Sequence, residues 1–182
     1  MTVTAEICTT KAWNSIEEIK HVTKDTSQTS AQILVVGLGN TLLCDDGAGI
    51  YVAREIAKKN NNPNVDVTEA SVGGLEMLEI LRGYQKAIII DAIVAGKQKI
   101  GTLHEINLED LKGGSAMARH QVGLYEAITL GRQLEMQLPE EILIYGVEVQ
   151  DTMTMQESCT PEVAECIPGI ADKILSFIGS LK

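Results

Sequence analysis

Ile33-Leu34-Val35-Val36-Gly37-Leu38-Gly39-Asn40-Thr41-Leu42-Leu43-Cys44-Asp45-Asp46-Gly47 is the stretch whose reading decides the fold class. Its first five residues form a short apolar run closed by glycine, the pattern of a buried strand. A helix is expected from about Asp46, where Ile50, Ala53 and Ile56 recur at i, i+3 and i+6. The run Asn60-Asn61-Asn62-Pro63 stops that helix.

The same alternation continues outward. A second strand is expected from Val65 to Glu69, then a short helix after Gly73-Gly74 carrying Leu75, Leu78 and Leu81. Ala87-Ile88-Ile89-Ile90 is the strongest strand signal, and it is read as ending on Asp91. Thr102 to Ile106 reads as an edge strand, and Ile142 to Val147 as a further strand. Between them, a helix near Gln121 to Leu134 places Leu124, Ile128 and Leu134 on one face. The last helix runs from about Pro161 to Leu181, with Ile167, Ile170, Ile174, Ile178 and Leu181 in phase. Thr160 can cap it and Pro161 suits its first turn, whereas Pro168 should bend or restart it.

Strands alternating with helices imply right-handed crossovers. The expected fold is α/β: a three-layer, doubly wound, mostly parallel sheet of about five strands with helices on both faces. Residues 32–182 form one domain in this reading. Residues 1–31 are a polar extension in which Trp13, Ile16, Ile19 and Val22 recur at helical spacing and Ser15 and Glu18 have capping-box spacing.

Composition agrees. A chain of 182 residues fits one domain, and with one Trp and one Phe its core must be aliphatic. The net charge of −10 would repel phosphate backbones, which argues against nucleic acid as a partner. No apolar run is long enough to span a bilayer, and no basic-then-apolar leader is apparent, so a cytoplasmic location without membrane association is expected. Cys8, Cys44, Cys159 and Cys166 form no C-x-x-C pair and read as small buried hydrophobes.

Three residues could carry chemistry together. The glycine turn after the first strand fails as a dinucleotide fingerprint, because Leu42 stands at the third glycine position and two carboxylates follow. Asp45 and Asp46 then have two readings of equal weight: acids capping a helix N-terminus, or acids holding a cation at the crevice of a doubly wound sheet. Asp91 ends an apolar strand, where a carboxylate is costly unless it serves backbone amides or a ligand. His120 precedes a helix and supplies an imidazole, and neither His21 nor His104 has comparable company in the sequence. An Asp, Asp, His set suits Zn, Ni or Fe(II). Cys44 is a poor nucleophile beside two aspartates, which raise a thiol's pKa. Neither a Gly-x-Ser-x-Gly elbow nor a His-Glu-x-x-His helix occurs.

From Ile33 onward the chain resembles the hydrogenase maturation endopeptidase family. The resemblance rests on Gly37-Leu38-Gly39-Asn40 with Leu43 and Asp45-Asp46-Gly47-Ala48-Gly49, on Glu69-Ala70-Ser71-Val72-Gly73-Gly74-Leu75-Glu76, on Ile90-Asp91-Ala92-Ile93, and on His120-Gln121-Val122-Gly123-Leu124. Thr160-Pro161-Glu162-Val163 looks like the start of that family's last helix. The resemblance implies an endopeptidase that removes a C-terminal extension from the precursor of a hydrogenase large subunit after nickel insertion. It places the metal-contacting and catalytic trio on Asp46, Asp91 and His120, with the nickel supplied by the substrate and no permanent cofactor. The expected partner is that precursor; the sequence leaves the oligomeric state open, with a monomer favoured. In one respect the sequence departs from the family: Glu69 stands where an aspartate is usual, with a reach longer by one methylene. The rival readings are a non-catalytic nickel-delivery or checkpoint protein using the same trio, and an unrelated α/β hydrolase with its own zinc.

Overall fold

The structure is a computed structural model that describes residues 31–96, 98–112 and 123–181. The expected helix around Trp13, its Ser15–Glu18 box, Cys8 and His120 lie outside the described residues. Strand β1 (Ile33–Leu38) leads through a 3-10 turn (Cys44–Gly47) into helix α1 (Ala48–Lys59). Then come β2 (Val65–Ala70), α2 (Glu76–Leu81), β3 (Lys86–Ile93) and β4 (Leu103–Ile106). A 3-10 turn (Leu108–Leu111), α3 (Leu124–Gln133), β5 (Glu141–Glu148) and α4 (Pro161–Ser180) complete the order.

The five strands form one sheet in the order β2-β1-β3-β5-β4. β1 pairs in parallel with β2 and β3, and β3 in parallel with β5, while β4 runs antiparallel at the edge. A four-residue β4 has room for little else, because the chain from β3 to β4 is too short for a crossover helix. Alternate residues of each central strand face opposite layers. Val35, Ile88 and Ile90 pack with Val52 and Ile56 of α1 and with Val163, Ile170, Ile174 and Ile178 of α4. Val36, Leu38, Ile89 and Ile93 pack with Met77 and Leu81 of α2 and with Leu124 and Ile128 of α3. The three-layer, doubly wound, mostly parallel architecture read from the sequence is therefore the observed one.

Several local expectations need correction. β3 does not end on Asp91: it continues to Ile93, because β5 offers partners through Glu148. Leu75 precedes α2 and Leu134 follows α3, and both are exposed rather than in the core. Ala127 and Gly131 share the buried face of α3 with Leu124 and Ile128 instead. Pro168 neither stops nor restarts α4, which is one unbroken helix. An interior proline costs about 3 kcal/mol. Burial of Val163, Ile170, Ile174 and Ile178, at roughly 1.5–3 kcal/mol for each large aliphatic, outweighs it. Cys166 is only partly buried, unlike Cys44 and Cys159.

Candidate functional site

The connection from β1 leads to β2 on one side of the sheet, and the connection from β3 leads to β4 on the other. The carboxyl ends of β1 and β3 are therefore the switch point of the sheet, the place where doubly wound sheets hold ligands. Close backbone approach shapes it. A Cβ added at Gly49 would overlap the carbonyl oxygens of Ile90 and Leu38, and one at Gly37 would overlap the carbonyl of Gly49 and the Cβ of Ala53. Gly39, at φ +146°, lies against the carbonyl oxygen of Asp46. Helix α1 can thus start directly on the strand ends, and the 3-10 turn carrying Asp45 and Asp46 packs against β3. Asp46 is 4% exposed, and Asp91 of β3 is fully buried one residue beyond Ile90.

The two adjacent aspartates do different things. The side chain of Asp45 caps neither the 3-10 turn nor α1. Its Oδ1 accepts the Thr160 amide at 2.7 Å, and its Oδ2 accepts the Thr160 hydroxyl at 3.2 Å and the Asp151 amide at 3.1 Å. The Asp45 amide in turn donates to the Asp151 carbonyl at 2.9 Å. Asp45 is therefore a structural tie that fixes the start of α4 and the loop after β5 to the glycine turn. Thr160, expected to cap α4 with its hydroxyl, makes no such cap and spends that group on Asp45. Asp46, its neighbour, is buried at the carboxyl ends of the central strands. Asp91 Oδ1 accepts the Ala92 amide at 2.8 Å, which orients its carboxylate.

Among the described residues, no group of three or more His, Cys, Asp and Glu side chains converges as a metal site. The third member of the expected trio, His120, lies outside them. Three positions further on, Gly123 (φ +78°) opens α3 beside Gly74 of the loop after β2. Glu69, the departure from the family pattern, meets Arg54 of α1 in a two-pronged ion pair, Nε to Oε1 at 2.9 Å and Nη2 to Oε2 at 2.8 Å. The extra methylene gives this carboxylate a helix-to-strand partner of its own. That hydrogen-bonded pairing raises the Arg54 pKa.

Cys44 occupies a left-handed conformation (φ 48°) that a non-glycine residue adopts only where the surroundings impose it. Here its amide is held by the Gln156 carbonyl at 2.9 Å. Burial, and then the neighbouring Asp45 charge, raise its thiol pKa. Burial followed by the Asp45 charge pushes Cys159 up to about 12. Neither thiol is a competent nucleophile near neutral pH. Cys44→Ala is therefore expected to keep substantial activity, and thiol-blocking reagents to inhibit poorly. A folded yet inert Cys44→Ala protein, seen by circular dichroism and a cleavage assay, would overturn this.

Sequence reasoning missed one arrangement. His104 does have company: its Nε2 lies 3.0 Å from Oε2 of Glu148, which is 1% exposed. The other Glu148 oxygen accepts the amides of Ala95 at 2.9 Å and Gly96 at 2.8 Å. Glu148 thus pins the start of the β3–β4 loop. The legible signal was an acid closing an apolar strand, the same signal that singled out Asp91.

Comparison with known proteins gives one consistent result. A family model described as hydrogenase maturation protease (HycI) matches residues 50–177. The chain is 26% identical over 150 residues to hydrogenase 2 maturation protease of Escherichia coli, covering 81% of this chain and 90% of that one. It is 30% identical over 163 residues to the coenzyme F420 hydrogenase subunit delta of Methanothermobacter thermautotrophicus, covering 84% and 98%. The fold is similar to that of the hydrogenase maturating endopeptidase HybD from E. coli, with a TM-score of 0.69 at 24% identity over 81% of this chain and 91% of that one. It is also similar to a [NiFe] hydrogenase maturation protease HybD from Thermococcus kodakarensis, with a TM-score of 0.60 at 22% identity, covering 80% and 98%.

Proposed function

The chain belongs to the hydrogenase maturation protease family, a family of endopeptidases, and from that premise we propose that it removes the C-terminal extension of a nickel-containing hydrogenase large-subunit precursor after nickel insertion. In this reading Asp46, Asp91 and His120 contact the nickel that the substrate brings. Two carboxylate oxygens and one imidazole nitrogen suit a borderline divalent ion and leave coordination positions for substrate groups. Nickel held by these three side chains would supply Lewis-acid polarisation at the scissile peptide, whose carbonyl carbon a water attacks. The C–N bond then breaks, and the water's proton passes by way of a carboxylate to the departing amine. The enzyme carries no permanent metal in this scheme. A cytoplasmic location is part of the same proposal, and no described helix is long and apolar enough to cross a membrane.

The observation that supports this reading best is the burial of Asp46 and Asp91 at the carboxyl ends of the central strands, with Asp45 already committed to the fold. Buried carboxylates persist where a cation or hydrogen-bond donors repay the desolvation. The test is the metal content of the substrate. Wild-type enzyme should shorten nickel-loaded precursor, read by mass spectrometry, and leave nickel-free precursor intact even at excess enzyme. A chelator should act only if it strips nickel from the precursor. Efficient cutting of the nickel-free form would leave the trio as an ordinary hydrolytic site.

A further inference from the structure

Most of the large apolar side chains that the described fold leaves in water lie at one edge of the sheet. Leu42 follows β1, Leu75 follows β2, Val94 follows β3, and Met153 and Met155 follow β5, with exposures from 49% at Leu42 to 82% at Met155. All four loops leave the carboxyl ends of parallel strands, so these side chains lie at the same end of the sheet as Asp46 and Asp91. The remaining two, Leu130 and Leu134, sit at the far end of α3, where the chain turns back toward the start of β5. Scattered single exposed hydrophobes need no explanation, but a group of them at the functional end of a sheet does.

The group is held in place by the backbone. The Leu42 amide donates to Asn40 Oδ1 at 3.0 Å, and the Leu42 carbonyl accepts the Gln156 amide at 3.0 Å. This ties the β1 loop to the methionine loop. Asp151 Oδ1 accepts the amides of Met153 at 3.1 Å and Thr154 at 2.9 Å. The Thr154 side-chain hydrogen bond, followed by these two amides, keeps the Asp151 carboxyl pKa below the ordinary value. The surroundings are acidic: Asp151 and Glu157 flank the methionines, and Glu76 follows Leu75. A preorganised apolar collar with an acidic setting accepts apolar side chains next to neutral or basic groups and disfavours acidic ones. Methionine suits such contacts because it adapts its shape.

We propose that this collar is the docking surface for the C-terminal segment of the precursor protein, gripping apolar residues on either side of the bond presented to Asp46 and Asp91. This rests on the function proposed above. The collar sets affinity, whereas Asp46, Asp91 and His120 do the chemistry.

The test uses the full chain and the nickel-loaded large-subunit precursor. Calorimetric titration and cleavage kinetics are compared for wild type, Leu42→Ser, Leu75→Ser, Met155→Ser and, at the opposite edge, Leu134→Ser. The three collar variants should weaken Kd and raise KM by about tenfold each, the scale of a buried apolar anchor, with kcat nearly unchanged. Leu134→Ser should bind as wild type does. Unchanged Kd in all three collar variants, at unchanged melting temperature, overturns the proposal. Binding without cleavage by wild type would remove the proposed function, and the Kd series would still decide the collar. Absence of any binding, or collar substitutions that only dissolve a dimer in sedimentation, would give the surface a different occupant and refute the proposal.

Discussion

Replacing Asp91 with asparagine is expected to lower cleavage of the nickel-loaded precursor by at least about a hundredfold while the melting temperature barely moves. Asp91 is fully buried, and its Oδ1 accepts the Ala92 amide at 2.8 Å. An asparagine oxygen can keep that bond in nearly the same volume, so the substitution removes charge and metal affinity rather than packing. Asp46→Asn and His120→Gln should fail in the same way, because in the proposed function the three side chains contact the metal together. Relief of repulsion in an acidic cleft could even raise the melting temperature. If Asp46 and Asp91 only served the fold, their loss would instead cost about 0.5–2 kcal/mol, and activity would fall only as folded protein was lost. Asp45 supplies the internal contrast. Its carboxylate accepts three donors from Asp151 and Thr160, so Asp45→Asn should lower stability before it lowers the rate of the folded enzyme. Cleavage rate per folded molecule and thermal melts, taken on the same variants, separate the two roles. An Asp91→Asn enzyme that melts early and cuts normally would reverse the assignment.

The parallel core was legible because β1 and β3 are buried on both faces and so read as unbroken apolar runs. Boundaries were less so. Asp91 looked like a strand end because a carboxylate interrupts the apolar run, yet pairing with β5 carries β3 two residues further. Leu134 looked like core because hydrophobicity alone cannot show where a helix stops. The glycine turn announced a site but could not apportion Asp45 and Asp46, since the partners that claim Asp45, Asp151 and Thr160, lie more than a hundred positions away. The Glu69 pair with Arg54 and the Glu148 pair with His104 were hidden for a related reason, since each joins two different elements. Periodicity records burial, whereas side-chain partnership across elements leaves little trace in a single sequence.

Gly49→Ala is expected to give the largest loss of stability, and the direction is opposite to what helix propensity predicts. Gly49 lies in the first turn of α1, where alanine would ordinarily gain about 1 kcal/mol over glycine. Here the added methyl would overlap the carbonyl oxygens of Ile90 and Leu38. Those are backbone atoms of the two central strands and cannot swing aside as a side chain would. Relief requires α1 to lift from the strand ends, at an overpacking cost of about 3 kcal/mol, the upper end of the usual range. The net loss of about 2 kcal/mol should lower the melting temperature by roughly 4–8 °C in a domain of this size. Gly169, in the exposed part of α4, is the matched control, because a Cβ there meets nothing within 4 Å. Gly169→Ala should therefore be neutral or stabilising by up to about 1 kcal/mol. A Gly49→Ala protein that melts at or above the wild-type temperature would show that α1 does not need glycine against β1 and β3. The same contact carries a functional consequence. The turn that bears Asp46 packs against β3 and enters α1 through Gly47, so lifting the helix also shifts Asp46 relative to β3, and the surviving folded Gly49→Ala enzyme should cut more slowly than its stability alone dictates.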